Sequence, residues 1–254
     1  MNPIEIGIIG FAFAFGGVAL GVWLRSVLPK HHLDKPSEDA MKRGVGLIAT
    51  MTALVLSLVM ASAKSSFEGV KNAVKESAVQ VLALDRVLAR YGPETREIRR
   101  QLKQVVGERI DMIWPSDSSR PVALDQTTAG MTPRAESLTD AIRSLQPRDD
   151  LQRALQTRAV DLAERMLQAP WLVMGTEGSV PTPFLVILLF WLTAIFASFA
   201  VFAPRNGTLI TILFVCSLSI GGALFLVPEL AGPFDGLIRV SSDPIRFAYT
   251  HINR

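Results

Sequence analysis

Charged side chains are distributed along this chain in two regimes. Four windows hold none of them: Ile6–Leu24, Gly44–Ala63, Gly178–Pro204 and Asn206–Pro228. Each is long enough to carry about 20 residues, at roughly 1.5 Å rise each, across a ~30 Å hydrocarbon layer. The third window shows the energetics. Thirteen residues of Phe184–Phe202 are Phe, Leu, Ile or Val. Each favours insertion by about 0.3–0.6 kcal/mol, whereas one central charge costs about 3 kcal/mol. The pattern predicts four membrane helices, over 4–28, 37–91, 182–204 and 207–228.

The second helix is expected to leave the bilayer and continue as a stalk. No proline falls between Ser37 and Tyr91, and Phe67, Val70, Val74, Val81, Leu84 and Leu88 recur at helical spacing. Ser37, followed by Glu38 and Asp39, reads as the N-cap of this helix. Gly92-Pro93 then breaks it. Residues 92–172 predict an all-helical domain outside the bilayer. It has one amphipathic helix with Ile98, Leu102, Val105 and Ile113 on a face, then a loop over Trp114–Pro133. Thr132-Pro133 reads as a cap and first turn for a helix carrying Leu138, Ile142 and Leu145. Pro147 restarts it, and Leu151, Leu155, Ala159, Leu162 and Met166 continue the stripe. Pro204-Arg205-Asn206-Gly207 predicts a tight hairpin between the last two spans. Residues 229–254 read as an amphipathic tail that lies on the membrane surface or docks on the soluble helices. The fold class is therefore all-α, a polytopic membrane protein with a helical domain inserted between its second and third spans.

The first window is expected to be retained as a span rather than cleaved as a signal: it lacks a basic flank, carries Glu5 at its start, and is too long. Basic residues do not orient the chain. Arg25, Lys30, Lys35, Lys42 and Arg43 follow the first span, while Lys64, Lys71, Lys75, Arg239 and Arg246 gather on the opposite side.

A net charge of +3 changes little, because basic and acidic residues interleave outside the windows and form no nucleic-acid footprint. The lone cysteine, Cys216, lies inside the fourth window and forms no intrachain disulfide. Intramembrane catalysis and proton relays need ionisable groups that these windows lack. His31 and His32 are adjacent, which is not the spacing of a chelating pair on a helix. His251 has no acidic or cysteine neighbour in sequence. Neither a catalytic centre, a cofactor nor a metal site is expected.

Two features stand out. Gly46, Thr50, Ala53, Ser57, Ala61 and Lys64 fall on one face of helix 2. One reading makes this face a pore wall assembled from several copies, with Lys64 as a basic ring favouring anions at one mouth. The other makes it a helix-packing face, since small residues let backbones approach in lipid. The second feature is glycine in helices 1 and 4, including Gly17-x-x-x-Gly21 and Gly221-Gly222. It reads as close helix contact, with a hinge at Gly221-Gly222 as the alternative.

Several segments resemble a bacterial bestrophin-like family of four-helix membrane proteins. They are Gly44-Val-Gly-Leu-Ile-Ala-Thr50 through Ala61-Ser-Ala-Lys64-Ser, Leu84-Asp85-Arg86 with Leu88-Ala89-Arg90-Tyr91-Gly92-Pro93-Glu94, Phe190-Trp191 through Ala203-Pro204, and Glu229-Leu230-x-x-Pro233-Phe234-x-Gly236. The resemblance covers nearly the whole chain in order. It implies a homo-oligomer, pentameric in bestrophins, that conducts anions through a pore lined by helix 2, with the soluble part in the cytosol and the spans in the bacterial inner membrane. The sequence departs from animal bestrophins in two places. Helix 2 has no counterpart of their aromatic constriction, and no acidic cluster resembles their calcium clasp. The expected function is an anion-favouring ion channel. The alternative is a non-conducting membrane anchor or sensor whose helical domain binds a protein partner.

Overall fold

The computed structural model describes residues 2–29, 35–115, 134, 136–167, 182–202, 206–234 and 236–253. Their regular structure is helical throughout: α1 Pro3–Val27, α2 Lys35–Tyr91, α3 Arg96–Ile113, α4 over residues 136–143, α5 Asp150–Leu167, α6 Thr182–Phe202, α7 Gly207–Ala231 and α8 Asp243–His251. Four of these, α1, α2, α6 and α7, are long and apolar enough to cross a membrane. The chain divides into two compact units, Met1–Ser65 with Gly178–Ala231 and Ser66–Glu177 with Gly232–Arg254, and α2 contributes to both.

In the first unit, α1 packs along α6 and α7. Glycine makes this approach possible. A Cβ on Gly17 would lie 2.6 Å from the Thr193 carbonyl oxygen, and one on Gly21 would collide with the Ala197 carbonyl oxygen. Gly221 meets the Gly7 carbonyl in the same way, at 2.9 Å, whereas Gly222 faces nothing within 4 Å. Helix α7 runs unbroken through both glycines. Apolar layers fill the space between: Ala14, Val18, Phe196, Ala200 and Leu213 in one, Leu188, Leu189, Leu192 and Leu224 in another. At the start of α1 the Asn2 backbone N–H donates to the Glu5 carboxylate, 3.0 Å, satisfying one of the donors a helix start leaves open.

In the second unit, the later half of α2 packs through Ala78, Val81, Leu84 and Leu88 against Ile98, Leu102, Val106 and Ile110 of α3, with α4, α5 and α8 closing the core. Gly92 ends α2 with φ 140°, a backbone conformation that L side chains rarely adopt. The buried Thr95 hydroxyl lies within hydrogen-bond distance of the carbonyls of Leu88, 2.6 Å, and Gly92, 2.8 Å. Gln156 Nε2 donates to the carbonyls that end α4, those of Ile142, Arg143 and Leu145.

Three expectations need correction. Helix α2 starts at Lys35, so Ser37 sits inside its first turns and is not the N-cap. Proline is tolerated there because the first N–H groups of a helix have no intrahelical partner. Helix α7 continues past Pro228 to Ala231, since a proline in the last turn removes a single hydrogen bond. On α3 it is Val106, with Leu102 and Ile110, that is fully buried, while Val105 packs only in part. Of the two places open to the tail, α8 takes the second: it docks on α3, with Tyr249 against Gly107 and the Lys103 ammonium 5.3 Å from the Tyr249 ring centroid. His31, His32, the loop around 116–133, the Thr132-Pro133 pair and the turn at Pro204-Arg205 lie outside the described residues.

Candidate functional site

Helix α2 is the least covered of the four apolar helices. Only 11% of its most apolar stretch is buried, against 44% for α6. Its contact with the rest of the first unit runs down one side. Val55 and Leu56 pack against the Leu188, Leu189, Leu192 and Leu224 layer, and Val45, Thr52 and Ala63 are buried on the same side. The Thr52 hydroxyl there donates to the Ile48 carbonyl, 2.8 Å.

The six residues singled out by spacing lie elsewhere on the helix. Gly46, Thr50, Ala53, Ser57, Ala61 and Lys64 are all exposed. At about 100° per residue their face stands roughly a third of a turn from the packed side. Its six residues are exposed among the described residues, so the packing described within one subunit does not account for its small side chains. A third face follows a further quarter-turn round, roughly. It holds Leu47, Met51, Leu54 and Leu58, of which Leu58 is 71% exposed. These residues do not stand out in the sequence, because apolar side chains in an apolar span carry no contrast. Their spacings of four, three and four residues, which put them on one face of the helix, were the available signal.

The stripe brings no titratable group but Lys64. Thr50 donates its hydroxyl proton to the Gly46 carbonyl, 2.9 Å, and so presents oxygen lone pairs outward. Among the described residues, no cluster of three or more His, Cys, Asp or Glu could hold a metal ion. His251 Nδ1 lies 2.8 Å from the Phe247 carbonyl, a contact local to α8. Cys216 is exposed on α7.

Two buried charges mark the second unit instead. Arg99 grips Asp85 by two hydrogen bonds, Nε to Oδ1 at 2.8 Å and Nη2 to Oδ2 at 2.9 Å, which holds the guanidinium above its ordinary range. Arg109 lies in the core, and burial pushes its guanidinium down to about 10. Neither arginine was singled out from the sequence.

The fold has counterparts of known structure. A crystal structure of a bacterial bestrophin homolog from Klebsiella pneumoniae bearing a point mutation is 14% identical, with a TM-score of 0.68 over 99% of this chain and 98% of that one. A second mutant of that homolog gives 0.67 at 14% identity, over 98% and 97%. A further structure of it gives 0.62 at 16% identity, over 98% and 95%. At these identities the likeness establishes the fold. No curated protein matches the chain. The model of the bestrophin-like domain matches residues 12–245. The match spans α2, α6 and α7 and most of α1, and with these four apolar helices the chain belongs to the bestrophin-like family and is a multi-pass membrane protein.

Proposed function

We propose that the protein is an oligomeric ion channel that favours anions, with α2 lining the path. The exposed stripe on α2 carries this reading. In lipid, a face of glycine, alanine and hydroxyl side chains has little to gain from acyl chains, and its small residues suit close approach to another helix or to water. Since the face is exposed among the described residues, its neighbours on this reading are copies of α2 arranged round an axis. Gly46, Thr50, Ala53, Ser57, Ala61 and Lys64 then line the path, and Leu47, Met51, Leu54 and Leu58 pack between subunits.

Charge preference is assigned to Lys64 rather than to the hydroxyls. With its proton on the Gly46 carbonyl, Thr50 offers an acceptor, which does not stabilise an anion. A ring of ammonium groups at one mouth does. By resemblance the ring is pentameric, the spans lie in the bacterial inner membrane, and the polar helical unit sits in the cytosol. The ion pairs of that unit, such as Arg143 with Glu164, are at home in water and would be costly in hydrocarbon.

Native mass spectrometry in mild detergent, with reconstitution into planar bilayers, tests the reading. The expected result is a closed oligomer that passes current with a reversal potential displaced toward that of chloride in a salt gradient. A monomer or dimer that passes no current would sink it and leave the anchor or sensor reading in its place.

A further inference from the structure

We propose that the apolar tip at Leu237 and Ile238, between α7 and α8, docks into the lipid–water interface of the membrane that the chain spans. The loop follows directly on α7, and the inference rests on the multi-pass assignment but not on conduction. Leu237 is 82% exposed, the highest value among the large apolar side chains of the described residues. Ile238 beside it is also exposed. A single exposed leucine is ordinary. Here, however, the chain holds the pair out by construction.

The base of the loop is closed. Val240 N–H donates to the Pro233 carbonyl at 2.8 Å, and the Val240 carbonyl accepts from the Trp114 indole Nε1 at 2.8 Å. Phe234 packs edge-on against Trp114, ring centroids 5.5 Å apart, and both Phe234 and Val240 are buried with Val70, Val74 and Ile113. Gly236, at φ 88°, takes the left-handed turn that a side chain would strain. Arg239 Nε donates to the Gly236 carbonyl at 2.6 Å, bracing the tip. The apolar pair thus sits between braced residues, Gly236 before it and Arg239 and Val240 after it, which lowers the freedom it loses on docking.

Chain length places a lipid surface within reach. Leu237 comes six residues after Ala231, the end of α7, so extended chain carries it no more than about 20 Å from that end. Leucine and isoleucine partition into the interface, and Arg239 complements lipid phosphate with the further N–H donors of its guanidinium.

The test uses the full-length protein with Cys216→Ser, so that a single introduced cysteine takes a polarity-sensitive fluorophore. Leu237→Cys and Ile238→Cys are labelled in separate samples, reconstituted in phosphatidylcholine–phosphatidylglycerol vesicles, and checked for unchanged elution in detergent. Leu151→Cys on α5, 68% exposed in the wild type, serves as the reference. Nitroxide attached high on the lipid acyl chains is expected to quench the 237 and 238 labels several-fold more than the 151 label, while aqueous iodide quenches them less. Equal iodide quenching at all three positions, with no response to the lipid nitroxide, overturns the proposal. Shielding from both quenchers overturns it too, because a second copy of the chain then covers the tip. Two positions are read so that one variant failing to fold leaves the other decisive.

Discussion

Arg99 and Asp85 face each other across the α2–α3 turn in a two-point ion pair, yet they are not equally sheltered: the Asp85 side chain is 6% exposed and that of Arg99 15%. Removing one partner of a buried pair leaves a charge without compensation, at a cost of about 3–5 kcal/mol. The costs here are expected to differ. After Asp85→Ala, the long Arg99 side chain can reach toward solvent. After Arg99→Ala, the short Asp85 carboxylate cannot. Arg99→Ala is therefore the more destabilising, by thermal unfolding of the full-length protein in detergent. The double variant is expected to be less harmful than the two single effects summed, which is the signature of direct coupling.

The α1–α6 contact makes a second prediction. A side chain on Gly21 runs into the Ala197 carbonyl oxygen, and one on Gly17 into that of Thr193; both are backbone atoms that cannot move aside alone. Gly16, one residue from Gly17, has nothing within 4 Å. Gly21→Leu is expected to cost at least the roughly 1–3 kcal/mol typical of overpacking, and to lower the yield of monodisperse protein. Gly16→Ala is expected to be neutral or to stabilise by up to about 1 kcal/mol through helix propensity. Size-exclusion profiles and melting temperatures of the two variants separate these outcomes.

Arg109 supplies a pH dependence. Its guanidinium falls from its ordinary value in the unfolded chain to about 10 in the core, because burial disfavours the charged form. The unfolded state thus binds more protons between pH 10 and 12, and in that window this group makes stability rise with pH. Below pH 10 both states are protonated and the charge is a fixed cost, on the order of 3 kcal/mol. Other groups titrate in the same range, so the measurement is a difference. The wild type minus Arg109→Met stability gap, followed by thermal melts from pH 9 to 11.5, is expected to shift in favour of the wild type as pH rises. A gap that stays flat would remove the burial argument.

What the sequence made visible follows from which forces act locally. Spans are set by composition, so the charge-free windows located α1, α2, α6 and α7 without further help. Glycines 17 and 21 were readable as a contact because a four-residue spacing is enough to name a helix face. Contacts between distant segments were not readable. Asp85 and Arg99 are fourteen residues apart, and only the sharp turn at Gly92 and the register of α3 bring them together. The Trp114–Val240 hydrogen bond joins residues 126 apart, and no local pattern announces it. Ser37 misled because a good capping residue next to two acids looks the same inside a first turn as before it. On α2, the stripe was visible as a pattern, but whether the same chain covers it was a tertiary fact.

The stripe on α2 bears on conduction itself. Lys64 lies on the same exposed face as Ser57 and Ala61, about two helical turns beyond the first and one beyond the second. In an assembled ring its charge is repeated once per subunit around a narrow mouth, where the low dielectric of the walls strengthens each interaction. Lys64→Glu replaces every positive charge by a negative one, and the reversal potential in a salt gradient is expected to move toward the cation equilibrium value. Lys64→Gln should fall between. The lining positions behave differently, since they set width rather than sign. Ala53→Leu is expected to reduce single-channel current and leave the reversal potential unchanged, because a larger apolar side chain narrows and dries the path. If Lys64→Glu leaves ion preference as in the wild type while Ala53→Leu still lowers current, α2 lines the path but Lys64 does not select. If neither variant changes current or preference, the exposed face of α2 is a contact between subunits and the path lies elsewhere.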